Sequence, residues 1–213
     1  PALLFALTFH EAAHAWMALR LGDHTARMLG RLTLNPMAHL DLFGTLSVLL
    51  IGFGWAKPVP FDPRNFRNPK RDILLTAAAG PISNMILAVL SAIALRTLLN
   101  QGWGVTMVEG FWHSLGRIIG LSLIINLQLA FFNLIPLPPL DGSKILSGIV
   151  PDAWDRYIWR LEQVGPMVLF GLVMIGMFMR FSVFWLIIGP PVMVACNVLS
   201  GMPYGYLSAM IFN

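Results

Sequence analysis

Residues 73 to 99 read ILLTAAAGPISNMILAVLSAIALRTLL, with Arg96 as the one charged residue. Written as a helix, this stretch is about 40 Å long, more than the roughly 30 Å hydrocarbon thickness of a bilayer. Further apolar stretches occupy about residues 2–20, 114–135 and 164–200. A soluble domain is about a quarter charged, whereas this chain is 11% charged and 57% hydrophobic. The 213 residues therefore predict an all-α polytopic membrane protein, a bundle of about five to six transmembrane or re-entrant helices folded as one domain over 1–213.

The segments between the spans refine this plan. Leu21-Gly22 ends the first helix, because glycine offers a left-handed exit. ARMLGRLTL, residues 26–34, alternates apolar and other residues before Asn35-Pro36 and predicts a small β element after the first helix. DLFGTLSVLLIGFGW, 41–55, is too short and glycine-rich for a span and suits an interfacial or re-entrant segment. The 114–135 span breaks at the prolines of LIPLPPLDG, a short helix is expected near 143–149, and 151–163 reads as a polar loop. Arg180 and Gly189-Pro190-Pro191 divide the 164–200 block into two spans.

The distribution of charge sets topology. Arg27, Arg31, Lys57, Arg64, Arg67, Lys70 and Arg71 all fall in the loop of about 22–72, which marks that loop as cytoplasmic. The pI near 9.7 thus reflects membrane orientation, and no nucleic-acid partner is expected. The single Cys196 excludes an internal disulfide and a cysteine-based metal site. The first apolar stretch has no basic leader or small-residue cleavage site, so no cleavable signal is expected.

Against this background FHEAAHAW, residues 9–16, is anomalous: ionisable side chains at membrane depth cost several kcal/mol unless they meet protein, water or a metal. His10 and His14 are spaced i, i+4, so a helix presents both imidazoles on one face, with Glu11 slightly aside. That is the HExxH arrangement, in which two histidines hold zinc and the glutamate serves as base. Catalytic zinc needs a third protein ligand and one open position. Asp141, after the proline-broken end of a span, is the best candidate for that ligand, although capping the next helix would equally explain it. His39 and Asp41 suit turn chemistry near Asn35-Pro36 as well as a supporting role, and His24 and His113 have no partner in the pattern. Arg117 and Arg180 suit the outer interface.

HEAAH in the first apolar helix, GPISN at 80–84 and NLIPLPPLDG at 133–142 together resemble the three signatures of the site-2 protease family, the M50 intramembrane zinc metalloproteases. GRLTLNPMAHLD resembles its compact bacterial and archaeal members, and no PDZ insertion or CBS pair is evident. The resemblance implies one zinc held by His10, His14 and Asp141, with Glu11 as general base. It also implies transmembrane protein substrates in a lipid bilayer, and with the basic loop cytoplasmic the site is expected to open toward the cytoplasmic side, in a prokaryotic plasma membrane. Asn84 and Asn133 become candidates to hold the substrate backbone or the developing oxyanion. A metal-binding transporter or scaffold would carry similar polar residues, but a transporter usually shows repeated halves, and none is evident.

Overall fold

The computed structural model describes residues 1–51, 54–101, 110–179 and 183–212. Helix α1 spans Ala2–Arg20, α2 Thr25–Met28, α3 Leu42–Ile51, α4 Pro69–Asn100 and α5 Phe111–Asn133. These are followed by α6 Asp141–Ile149, α7 Asp155–Met179, α8 Val183–Ser200 and α9 Tyr204–Phe212. Five of the described helical segments, Ala2–Arg20, Pro69–Asn100, Phe111–Asn133, Asp152–Phe178 and Val183–Ser200, are long and apolar enough to cross a membrane. The protein is an integral membrane protein of all-α architecture.

Small residues set the helix packing. Ala6, Ala15 and Ala18 of α1 are fully buried, and α1 lies against α4. Ala88 and Ala92 let α4 approach α5 and α8, where Leu123, Leu127, Val192 and Cys196 complete the core. Lipid tails are as apolar as leucine, so close van der Waals contact between such helices drives their association more than water exclusion does. By contrast Val164, Met167, Phe170 and Phe178 of α7 are exposed, as a peripheral, lipid-facing span requires.

The helix ends follow local chemistry. Gly22 has φ +106°, and Asp23 N donates to Ala18 O at 2.9 Å, the six-residue closure of a Schellman turn. Pro69 opens α4 at its first position, where its missing amide costs nothing, while Asp72 accepts from Asn68 N at 3.0 Å.

Three expectations are corrected. Residues 26–34 form no strand: α2 closes with Arg31 N donating to Ala26 O at 2.8 Å, and Gly30 turns the chain at φ +67°. The alternation is not a half-buried face either, since Met28 and Leu34 are exposed while Arg31 is buried. A strand needs a neighbour for its ladder, and the described residues offer one isolated bridge, Leu40 with Ala56. Second, much of 151–163 is helical, because α7 begins at Asp155 and its polar first turns precede the span. Third, Gly189-Pro190-Pro191 lies inside α8 instead of ending it; proline is tolerated in membrane helices when neighbours satisfy the freed carbonyls. Arg180 lies outside the described residues.

The long loop after α1 is tied down from within. The guanidinium of buried Arg31 donates to Ala38 O at 2.6 Å and to Lys57 O, drawing both ends of the 38–57 segment together. Asp23 is a second tie, accepting from Thr25 N and Oγ1, Asp62 N at 2.9 Å and Asn65 Nδ2 at 2.8 Å. Burial pushes the Asp23 carboxyl up, but these hydrogen bonds outweigh it and hold the group below the ordinary carboxylate value.

Candidate metal centre

His10 and His14 lie one turn apart on the buried face of α1, with Nε2 atoms 3.1 Å apart. Asp141, the first residue of α6, brings Oδ2 to 3.0 Å from His10 Nε2 and 3.3 Å from His14 Nε2. Leu140, and not Asp141, occupies the N-cap position of α6. The chain reaches this point by folding tightly after α5, where Leu140 N donates to Leu137 O at 3.0 Å. A Cβ on Gly142 would stand 2.4 Å from the carbonyl oxygens of Leu134 and Ile135, so the turn closes only over glycine.

Helix α4 supplies none of the three side chains yet shapes their setting. His14 Nδ1 is 2.7 Å from the carbonyl oxygen of Thr76, which can only accept. Nδ1 therefore carries a proton, and in the neutral ring Nε2 presents its lone pair. His10 Nδ1 is 2.6 Å from Asn84 Oδ1. The other end of that amide, Nδ2, lies 3.1 Å from Ala6 O and 2.9 Å from Asn126 Oδ1, which identifies it as the donor end. His10 accordingly donates from Nδ1 and also presents a lone pair at Nε2. Thr76, Gly80 and Asn84 recur at every fourth position, one stripe along α4 facing the two imidazoles. At Gly80 the fit is closest: a Cβ there would lie 2.4 Å from His14 Nε2 and 2.6 Å from His10 Cε1.

With both rings neutral, three acceptors converge in a buried space, the two Nε2 atoms and Asp141 Oδ2. Such a cluster repels itself unless a metal ion, or a proton between imidazole and carboxylate, sits among its members. Tetrahedral zinc with bonds of about 2.0 Å sets neighbouring ligand atoms roughly 3.3 Å apart, and the triangle of 3.0, 3.1 and 3.3 Å matches that spacing. The donor set, two neutral imidazoles and one carboxylate, is that of a catalytic zinc site with its fourth position open. Hydrogen bonds from each remaining ring nitrogen to Asn84 and Thr76 are the orienting contacts that zinc histidines usually have.

Glu11 follows His10 on α1 and is 9% exposed, beside the triad but not part of it. Asn84 is fully buried with its oxygen and both amide hydrogens engaged. Asn133 ends α5, where Nδ2 donates to Leu129 O at 3.0 Å, and no hydrogen bond joins it to the triad among the described residues. His39 is buried with Nε2 on Thr33 O, and Asp41 accepts from Gly44 N, so both serve the local turns. Sequence reasoning gives no role to the Thr76 carbonyl, to Gly80, which enters only as part of GPISN, or to Asn126. The four-residue spacing of Thr76, Gly80 and Asn84 was a usable signal for the first two.

Comparison with known proteins accords with this geometry. The Peptidase family M50 model matches residues 1–176. YwhC of Bacillus subtilis is 42% identical over 166 residues, covering 78% of this chain and 75% of that protein. MJ0611 of Methanocaldococcus jannaschii is 34% identical over 179 residues, 83% of this chain and 75% of its own. Rip2 of Mycolicibacterium smegmatis is 30% identical over 170 residues, and the chain spans 62% of its length. All three carry zinc-metalloprotease names. No solved structure matches. With a histidine pair and an aspartate converging where zinc chemistry needs them, and a family match over most of its length, the chain belongs to the M50, or site-2 protease, family of zinc metalloproteases.

Proposed function

We propose that this protein hydrolyses peptide bonds within or near transmembrane segments of other membrane proteins, as in regulated intramembrane proteolysis. The observation that carries this reading is the position of the triad: two of its members are buried inside a membrane-length helix, six and ten residues from the end of α1 at Arg20. At 1.5 Å per residue, that is roughly 9 and 15 Å inward from the side that bears the basic loop. By the positive-inside rule that side is cytoplasmic, in a prokaryotic plasma membrane.

His10, His14 and Asp141 would hold the zinc. Bound there, zinc supplies Lewis-acid polarisation of the scissile carbonyl and lowers the pKa of water to about 7. A Glu11 carboxylate oxygen takes the proton of the attacking water and returns it to the departing amide nitrogen. Asn133 uses one amide hydrogen on Leu129 and keeps a second for the substrate backbone or developing oxyanion. Asn84, fully engaged with its neighbours, instead holds His10.

An apolar groove of about 540 Å³ lies between α1 and α4, lined by Phe9, Ala13 and Trp16 on one side and Ile82 and Ile86 on the other. Leu32, Thr33 and Leu34 form its rim. A substrate helix hides its amides and must unwind before attack; an unwound segment in this groove would find apolar walls and a non-helical main chain for hydrogen bonds. The test compares zinc content and cleavage of a transmembrane peptide in detergent for wild type and Glu11→Gln. One zinc in each, with cleavage reduced 10²- to 10⁴-fold in the variant, is expected. Wild type with one zinc and no cleavage of any transmembrane peptide would favour a scaffold, and wild type without zinc a transporter.

A further inference from the structure

Asn126 lies in the middle of α5, fully buried, and no hydrogen bond joins it to the metal triad among the described residues. Its side chain is nevertheless fully committed. Oδ1 accepts from Asn84 Nδ2 at 2.9 Å, while Nδ2 donates to Ser122 O at 2.8 Å and lies 3.3 Å from Ser122 Oγ.

A primary amide can turn half a revolution about its last bond, exchanging oxygen for nitrogen with almost no change in shape. Packing alone therefore leaves open which end of Asn84 faces His10. The two orientations differ chemically. With Oδ1 toward the ring, His10 Nδ1 keeps its proton and Nε2 offers a lone pair to a metal. With the amino end toward the ring, Nδ1 must accept, the proton moves to Nε2, and the ligand is lost. The Ser122 carbonyl can only accept, so it fixes the direction of Asn126, and Asn126 with Ala6 O fixes the direction of Asn84.

We infer that Asn126 is a positioning residue for zinc: acting through Asn84, it holds His10 in the tautomer whose Nε2 is free to bind metal. The inference rests on His10 being a zinc ligand. The experiment uses the full chain in detergent, stripped of metal, with zinc affinity measured by competition against a chelator and the d–d absorption recorded with Co²⁺. Asn126→Leu has similar volume without the acceptor, and Asn126→Ala serves as the deletion should the leucine variant not fold. Asn126→Asp is the conservative replacement, since a protonated carboxyl can accept from Asn84 and donate to Ser122 O.

The deletion should weaken zinc binding 10- to 100-fold and alter the cobalt spectrum, while Asn126→Asp stays within about threefold of wild type. Lower thermal stability with zinc affinity and cobalt spectrum unchanged would show a purely structural residue and overturn the inference. Equal loss in Asn126→Asp and the deletion would overturn it too, because the acceptor would then not be what matters. A wild-type chain that takes up neither metal would overturn the metal centre itself, and this inference with it.

Discussion

Gly80→Ala adds a single methyl group where α4 touches the two imidazoles. Its carbon would stand 2.4 Å from His14 Nε2 and 2.6 Å from the Cε1 atoms of both rings, whereas ordinary contact begins near 3.4 Å. The rings would have to retreat by about 1 Å, and misplacement on that scale costs roughly 10²-fold in a catalytic site. They have little freedom to do so, because the bonds of 2.6 Å to Asn84 and 2.7 Å to Thr76 hold their far sides on the same helix. Helix stability moves the other way: alanine gains about 1 kcal/mol over glycine in a helix interior, partly offsetting about 1–3 kcal/mol of overpacking. The variant should thus remain folded, with metal-free stability lowered by no more than about 2 kcal/mol, and bind zinc at least 100-fold more weakly. Chelator competition on detergent-purified protein measures the affinity, and thermal unfolding of the metal-free form measures the fold. Gly116→Ala in α5 is the control, since a Cβ there meets nothing within 4 Å. Zinc affinity of Gly80→Ala within threefold of wild type would refute the reasoning.

Asn133→Ala should leave zinc affinity unchanged and lower kcat by about 10²-fold, the usual effect of removing one oxyanion donor; single-turnover cleavage with parallel zinc titration separates the two. Asp23→Ala should release the tie between α1 and residues 62–65, at a local cost of about 2–4 kcal/mol, seen as faster proteolysis near Arg64. In the wild type the Asp23 carboxyl titrates lower folded than unfolded, so its contribution is complete above the ordinary carboxylate pKa and is lost as pH falls through the folded value. Proteolysis near Arg64 should therefore rise on acidification in wild type and much less in Asp23→Ala. Leu34→Pro removes a main-chain donor at the groove rim and should reduce peptide cleavage several-fold without changing zinc content; undiminished cleavage would exclude main-chain pairing through this amide.

The convergence of His10, His14 and Asp141 was legible because helical spacing pairs the histidines on one face and because a carboxylate beside broken backbone at membrane depth needs a reason. Thr76 contributes a carbonyl oxygen, which every residue has, so nothing in its side chain announces the role. Asn126 stands alone in an apolar helix, and only the three-dimensional fold shows that it faces Asn84. Residues 26–34 misled because alternation is a pattern of side chains, while a strand also needs a partner for its backbone. At Gly189-Pro190-Pro191 the usual rule against proline inside helices misled: α8 runs through both prolines, with Ile188 and Val192 on either side packed into the bundle.

The triad also imposes an order on biosynthesis. His10 and Asp141 are separated by most of the chain, and at about 5–20 residues per second the ribosome needs on the order of ten seconds to go from one to the other. Throughout that interval α1 carries its imidazoles and Glu11 without Asp141. Asn84 emerges roughly midway, so α4 can engage the histidines before Asp141 exists. Order of synthesis therefore allows α4 to shelter the polar face of α1 before α6 is made, and α6 brings Asp141 last.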